Sequence, residues 1–164
     1  AMVRPIPGVA QQLPIHPYVL GCWLGDGHSA DGRIGCADQE IFRKIERLGY
    51  RLSGSHCPGR APYELRTVYD MMPALRAMGV LGEKHVPAEY LAASVYQRME
   101  LLRGLMDTDG HCSQRGTATF CNKNERLARQ VWELASGLAL RPRIRRYLQE
   151  SGAYWQVSMQ AHVD

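Results

Sequence analysis

The pattern of hydrophobic and polar positions along the 164-residue chain predicts the same series of elements twice. An apolar helix is expected in "YVLGCWLGDGH", residues 18–28, and another in "LLRGLMDTDGH", residues 101–111. Each is followed by alternating residues around a turn, then by a second helix and a second hairpin. Moving the first stretch by 83 positions places Gly21 on Gly104 and Asp26 on Asp109. We therefore predict a duplicated unit.

Capping and turn residues mark the expected limits of the elements in the first half. Asp31-Gly32 predicts a two-residue hairpin turn. Asp38 is expected to cap a helix that ends at Gly49, and a second hairpin is expected around Pro58-Gly59. A short third helix is predicted to close this half at Gly79.

The second half carries signals of the same kind. Ser94 and Gln97 match a capping box at the start of a helix that is expected to run to Asp107. A hairpin is predicted in "HCSQRGTATFC", after which Asn122 is expected to cap the next helix. The last hairpin is predicted to turn at residues 150–152.

These elements predict an α+β fold in which residues 1–164 form one domain. Within it we expect an N-terminal repeat at 14–80, a linker at 81–93 and a C-terminal repeat at 94–160. Because both copies lie in one chain, we also expect a monomer.

Composition excludes several classes of protein. A hydrophobic content of 45% with 22% charged residues is typical of a soluble globular domain. No apolar run approaches the roughly 20 residues of a membrane span, so no membrane partner is expected. The five cysteines are odd in number and show no C-x-x-C spacing, which argues against a disulfide framework or a structural zinc site. This usage favours a reducing, cytoplasmic location.

The basic residues are mostly arginine. Of the 20 lysines and arginines, 17 are arginine, although the net charge is only +4. Arginine makes bidentate contacts with phosphates and guanine edges, so this composition is compatible with nucleic-acid binding. A GC-rich genome that favours arginine codons explains the ratio equally well.

The glycines inside the two repeated helices predict close packing of one helix against the other. A glycine in a helix interior costs about 1 kcal/mol relative to alanine. Gly21 and Gly25 lie one turn apart, as do Gly104 and Thr108, so each helix has a narrow seam of small residues. If the seams pack together, a pseudo-twofold axis relates the two copies, and Asp26 and Asp109 emerge side by side.

The position of these two acids predicts a site for a divalent cation. Both follow a helix, where the macrodipole disfavours a carboxylate, and each precedes a glycine suited to a left-handed C-cap. Mg²⁺ favours carboxylates and carbonyl oxygens, and such a site can support phosphodiester hydrolysis. One Asp-Gly at a helix end is usually only a cap, but two matched copies favour a shared function.

At these residues the chain resembles the LAGLIDADG homing endonucleases in their single-chain form with two motifs. "LRGLMDTDG" matches the family motif closely, whereas "VLGCWLGDG" has Leu24 in place of its first acid. The segments "EKHVPAEYL" and "FCNKNERLARQVWELASGLAL" are similar to intein endonuclease domains, most of all those in bacterial replicative DNA helicases. The resemblance extends from about Pro14 to Met159.

The resemblance implies a saddle of two αββαββ units, whose strands lie in the major groove of double-stranded DNA. It further implies that Asp26 and Asp109 bind Mg²⁺ or Mn²⁺, helped by the backbone carbonyls of Gly25 and Thr108. Lys84 matches a basic residue that the family places near the scissile phosphates. The implied activity is intein homing, by cleavage of a long, nearly asymmetric site in the DNA of a bacterial or phage host.

Inteins splice through an N-terminal nucleophile and a C-terminal His-Asn pair. This chain begins with Ala1 and ends in "AHVD". We therefore expect an endonuclease domain that is natively fused within an intein splicing domain, without that splicing domain itself.

Strand alternation predicts which residues face DNA. In "RPRIRRYL", Arg141, Arg143 and Arg145 share one side and Ile144 and Leu148 the other. In "YWQVSM" the polar residues oppose Trp155, Val157 and Met159. The other hairpins add further polar residues to the predicted face, although a merely solvated face is the alternative for any one of them. The predicted DNA-binding residues are Arg33, Arg66, Gln114, Thr117, Thr119, Arg141, Arg143, Arg145, Tyr154, Gln156 and Ser158.

Two other functions remain open at this stage. The first is a LAGLIDADG-type nucleic-acid binder without cleavage, such as a regulator, a maturase-like protein or a decayed endonuclease. The second is a metal-dependent hydrolase of small phosphoesters, which the lack of a Gly-rich phosphate loop disfavours.

Overall fold

A computed structural model describes residues 4–114 and 116–160. Its helices and strands are α1 (Pro17–Asp26), β1 (Arg33–Cys36), α2 (Gln39–Arg47), β2 (Glu64–Thr67), α3 (Met72–Ala77), α4 (Ala88–Leu91), α5 (Val95–Asp109), β3 (Gly110–Cys112), β4 (Thr117–Asn122), α6 (Glu125–Gly137), β5 (Arg143–Gln149) and β6 (Gly152–Gln160). The fold is α+β, as predicted. No helix within these described residues is long and apolar enough to cross a membrane.

The helices α1 and α5 pack against each other at the centre of the molecule. A Cβ atom on Gly21 would lie 3.0 Å from the Cα of Gly104, and a Cβ on Gly104 would lie 2.8 Å from the backbone nitrogen of Cys22. Real Cβ atoms essentially never approach this closely, so only glycine permits the contact. The predicted helix interface through Gly21 and Gly104 is present.

Each half builds its sheet in the same order. In the second half the order is β3-β4-β6-β5, all antiparallel. In the first half β1 pairs with β2, and the outer positions are held by single bridges from Gly27 to Ile34 and from Leu52 to Val68. The first half therefore has the connectivity of the second with much shorter strands.

A single core lies between the sheets and the helices. The fully buried side chains Ile34 of β1 and Phe120 of β4 occupy matching places, since each pairs with the glycine that follows the central helix of its half. Helix α6 covers the second sheet through residues spaced as predicted, including Leu127, Val131 and Leu134. Burial of this apolar surface is the main source of stability.

Most predicted limits agree with the structure. Ser94 and Gln97 form the complete capping box, and Asp38 accepts a hydrogen bond from the backbone N–H of Glu40. Gly49 ends α2 with a φ of +94°, a conformation that favours glycine.

Two predictions about the ends of the central helices are wrong. Helix α5 continues past Asp107 to Asp109. Neither Gly27 nor Gly110 adopts a left-handed conformation; both are extended, with φ of −76° and −96°. The chain runs directly from each helix into the next strand position, and the bond from the Gly27 N–H to the Trp23 carbonyl closes the helix.

Two further predictions are corrected by hydrogen bonds. The His28 N–H donates to the Arg33 carbonyl, so residues 29–32 form a four-residue loop instead of the two-residue turn at Asp31-Gly32. Asn124, not Asn122, caps α6 by accepting from the Leu127 N–H. The short helix α4 lies within the segment 81–93, between the two predicted repeats.

Candidate functional site

The ends of the two central helices bring Asp26 and Asp109 together. Asp26 is the last residue of α1 and Asp109 the last of α5. A Cβ atom built on Gly25 would lie 3.0 Å from the Cβ of Thr108 and 3.6 Å from the Cβ of Asp109. The small seam therefore continues to the acid-bearing ends, so the two carboxylates lie in one site.

The electrostatics of the site oppose two negative charges. Burial raises the pKa of Asp109 to about 6; the neighbouring Asp26 raises it further, while Asn122 and Lys84 act in the opposite direction. Burial also raises the pKa of Asp26, and Lys84 opposes this shift. Two partly desolvated acids at negative helix ends favour the binding of a cation.

Lys84 is the basic residue beside both acids. Its Nζ donates hydrogen bonds to the carbonyl oxygens of Gly27, at 2.5 Å, and Leu24, at 3.3 Å, and lies 5.1 Å from the centre of the Trp23 ring. Burial lowers the pKa of Lys84 to about 8, although Asp109 and Asp26 both act to raise it. The ammonium group thus contacts the carboxyl end of α1.

The second half fixes the position of Lys84. The Asn124 side-chain amide donates to the Lys84 carbonyl at 2.7 Å, and the Gln130 side chain makes two hydrogen bonds to the backbone of Val86. Asn124 also caps α6, so the start of that helix and the segment that carries Lys84 are held by one residue.

Asn122 contacts one of the two acids. Its Nδ2 donates a hydrogen bond of 2.8 Å to Oδ2 of Asp109. By strand register, the matching residue in the first half is Cys36, two residues beyond Ile34. Burial raises the pKa of the Cys36 thiol to about 11, and the nearby Asp26 adds to this shift. The two acids therefore have different neighbours.

The second half presents a polar face on the side of its sheet opposite the core. Arg143 pairs with Ser158 and Arg145 pairs with Gln156, so these four residues form two adjacent rows across β5 and β6. They line an open groove of about 430 Å³ together with Arg141.

Tyrosines and threonines extend this face. Tyr154 stacks on Tyr147 with ring centres 5.2 Å apart, and Tyr147 lines the groove. Thr119 pairs with Ser158, and Thr117 also lines the groove. Gln114 is exposed in the turn between β3 and β4.

The first half places its two predicted arginines on opposite faces. Arg33 pairs with Thr67, whereas Arg66 pairs with the fully buried Ile34. Arg66 lies over the Phe42 ring, 5.2 Å from its centre, and is paired with Glu64. The prediction that Arg33 and Arg66 share a polar face is therefore wrong, because Arg66 points to the side covered by α2.

Residues 97–160 match the family model of the LAGLIDADG-like domain. Among solved structures, the chain is similar to mesophilic variants of the homing endonuclease I-DmoI, with a TM-score of 0.62 and 16% identity over 88% of this chain and 87% of that chain. I-DmoI in complex with DNA and Mn gives a TM-score of 0.61 and 17% identity, over 88% of both chains.

The chain has the LAGLIDADG homing endonuclease fold.

Two other relatives extend this result. Over 127 residues the chain is 44% identical to the replicative DNA helicase DnaB of Mycobacterium intracellulare, and the match covers 77% of this chain but 19% of that protein. Full-length DUF199/WhiA from Thermatoga maritima has a TM-score of 0.54 at 12% identity, over 90% of this chain and 52% of that one. The resemblance first indicated by the two motifs is confirmed.

Within the LAGLIDADG fold, sequence reasoning assigned the wrong role to Asn122. It was expected to cap a helix, yet its amide binds Asp109. The available signal was the alternation along β4: Phe120 faces the core beside α5, so a residue two positions later lies on the same side of the strand. The pairing of Arg33 with Asp31, at 2.7 Å, was also missed.

Proposed function

We propose that this protein is a sequence-specific endonuclease that hydrolyses phosphodiester bonds in both strands of duplex DNA. The observation that carries the proposal is the meeting of Asp26 and Asp109 at the ends of α1 and α5, with Lys84 beside both. Similarity to a homing endonuclease solved with its target DNA supports the same conclusion.

The donor set fits a divalent cation. Asp26 and Asp109 supply carboxylates in a partly buried place, and the remaining ligands would come from the carbonyls of Gly25 and Thr108, waters and DNA phosphate, which are the oxygens that Mg²⁺ accepts. Mn²⁺ would suit the same set. Related I-DmoI complexes were solved with Mn or with Ca, which supports use of a divalent ion.

Each residue would have a distinct role in the reaction. Asp26 and Asp109 would hold a divalent cation, whose chemistry there would be activation of water and stabilisation of the leaving oxygen. The Lys84 ammonium, held at the carbonyls of Gly27 and Leu24, would balance negative charge that develops on the phosphate. Asn122 would keep the Asp109 carboxylate in one orientation.

The proposed setting is an intein that interrupts a DnaB-type helicase gene, which the 44% identity supports. The protein would then act in the cytoplasm of a bacterial or phage host, natively fused within a splicing domain. We further propose that it acts as a monomer, with each half reading a different half of a long, nearly asymmetric site.

The direct test is a cleavage assay on a plasmid that carries the uninterrupted helicase-gene junction, with and without Mg²⁺. The unaltered protein is expected to cut both strands only with the metal. Asp26→Asn and Asp109→Asn are each expected to abolish cutting while binding remains. Asp70→Asn is the matched control, since its side chain is 83% exposed and pairs only loosely with Arg51, at 3.4 Å.

Two outcomes would contradict the proposal. Cleavage that survives both acid substitutions would show that the two acids take no part in the reaction. Tight binding without cleavage in Mg²⁺ or Mn²⁺ would instead assign the chain to the nucleic-acid binders that lack nuclease activity.

A further inference from the structure

A charged cluster occupies the loop that follows the first acid-bearing helix. Asp31 accepts hydrogen bonds from Nε of Arg33 at 2.9 and 3.0 Å, and its Oδ2 lies 2.7 Å from Nη2 of the same side chain. His28 Nδ1 lies 3.2 Å from Asp31 Oδ2. The indole of the buried Trp23 donates to the Asp31 carbonyl at 2.7 Å, so the loop is held in place.

This cluster lies on the open face of the first sheet. Arg33 pairs with Thr67, on the side of β1 opposite the buried Ile34. Since Ile34 matches Phe120, Arg33 matches Thr119, which belongs to the polar face of the second half. Both Arg33 and Asp31 therefore lie where the proposed function places DNA.

The charge of Arg33 is cancelled within the cluster. The hydrogen bonds from Arg33 lower the pKa of Asp31, so its carboxylate is ionised at neutral pH. When an ionised acid forms a bidentate pair with an arginine, the two charges sum to zero. The pair therefore offers no net positive charge to a DNA phosphate.

The second half differs in its charge. Arg141, Arg143 and Arg145 line the groove of the polar face, and none of the lining residues is acidic. Among residues 4–114 and 116–160, no salt bridge involves any of these three arginines. Their positive charge is available to phosphates.

We propose that Arg141, Arg143 and Arg145 of the second half supply the electrostatic attraction to DNA phosphates. We further propose that Asp31 limits the affinity of the first half for DNA by neutralising the charge of Arg33. This inference rests on the proposed function, because DNA is taken as the partner. A protein that neutralises a phosphate releases counterions, and each such contact steepens the salt dependence of binding by about 0.9 in logarithmic slope. The number of free cations on each half is therefore measurable.

The experiment is fluorescence anisotropy of a short labelled duplex of random sequence in EDTA, over a salt series at one pH. Asp31→Asn keeps an oxygen for the Arg33 N–H but removes the charge, so it is expected to tighten binding and to steepen the slope by about 0.9. Arg145→Gln is expected to weaken binding and to reduce the slope by about 0.9, and Arg143→Gln serves as a second variant of the same kind.

The matched control is the double variant Asp31→Asn/Arg33→Gln, which removes one charge of each sign. Its slope is expected to equal that of the unaltered protein. Thermal melts followed by circular dichroism confirm folding, which all these partly or fully exposed positions should preserve.

Weaker binding by Asp31→Asn, or unchanged slopes for Arg145→Gln and Arg143→Gln, would overturn the inference. If the plasmid is cut but these slopes do not change, the inference fails alone. If the slopes change as expected but the plasmid is not cut, the proposed cleavage fails and the inference stands. Absence of binding to the duplex at low salt would refute both.

Discussion

Asp26 and Asp109 occupy equivalent places in the two halves, yet their surroundings differ. Asp109 receives a hydrogen bond from Asn122, whereas the matching position beside Asp26 is Cys36, whose thiol donates to the Asp38 carbonyl. The charge of Lys84 lowers the pKa of both acids, but its hydrogen bonds go to the end of α1. Both copies of the central helix keep the glycines that bring the acids together. The residues that surround each acid and influence its pKa have diverged.

The sheets show the same contrast on a larger scale. The second half has a sheet of four strands, and Arg141, Arg143 and Arg145 of its polar face form no salt bridge among the described residues. The first half has two short strands flanked by single bridges, and its Arg33 is paired with Asp31. Equal positions in a duplicated fold therefore do not imply equal roles.

The largest expected effect is on stability and comes from the packing of α1 against α5, which the two halves share. Gly104→Ala places a Cβ atom 3.0 Å from the Cα of Gly21, with no flexible side chain to yield, so the helices must separate. We expect the free energy of unfolding to fall by about 3 kcal/mol, at the upper end for overpacking, as measured by chemical denaturation. Gly54→Ala is the control, since nothing lies within 4 Å of its Cβ position. Equal stability of the two variants would refute the close contact.

Lys84 serves both halves, so its removal should affect both strands of the DNA. Lys84→Met is expected to lower the rate of plasmid cleavage by about 10²–10³, the cost of losing one positioned group that stabilises developing charge. Lys44→Met is the matched control, because Lys44 stacks instead on the Tyr18 ring, 3.6 Å from its centre. A loss restricted to one strand would show that Lys84 acts on one acid only.

The surroundings of the two acids differ most clearly at Asn122, beside Asp109, and Cys36, beside Asp26. Asn122→Ala removes the hydrogen bond to Asp109, and we expect cleavage to slow by about 10–100-fold, as for residues that orient a metal ligand. Cys36→Ala removes no bond to Asp26, so its effect should be smaller. Nicked plasmid should accumulate with Asn122→Ala, and gel electrophoresis measures it. Similar rates for the two variants would argue against unequal acids.

The smallest expected effect is on stability as a function of pH without metal. Because the pKa of Asp109 is raised to about 6, the folded protein holds this proton more tightly than the unfolded chain. The contribution of Asp109 to the free energy of unfolding therefore falls as pH rises from about 4 to about 6. Asp109→Asn should remove this fall, whereas Asp70→Asn should keep it. An unchanged profile in Asp109→Asn would contradict the raised pKa.

Features encoded in local spacing were predictable from the sequence. Gly21, Gly104, Asp26 and Asp109 repeat at one offset, and a glycine that costs helix stability needs a packing reason, which the helix contact provides. The capping box at Ser94 is also local. The polar faces of β5 and β6 followed from alternation, because these strands, of seven and nine residues, are long enough for the two faces to differ.

Features that depend on register or on distant contacts were not predictable. Arg66 was assigned to the polar face, but β2 has only four residues and polar side chains on both sides, so alternation does not distinguish them. The contact of Asn122 with Asp109 depends on where β4 starts relative to α5. The anchoring of the Lys84 segment requires Asn124, which is 40 residues away.

The most direct test of the acid pair is the melting temperature of the protein as Mn²⁺ is added. A ligand that binds only the folded state raises that temperature as its concentration increases. We predict a rise for the unaltered protein and for Asp70→Asn, and none for the double variant Asp26→Asn/Asp109→Asn. An equal rise in all three proteins would mean that the metal binds elsewhere, and would contradict the account.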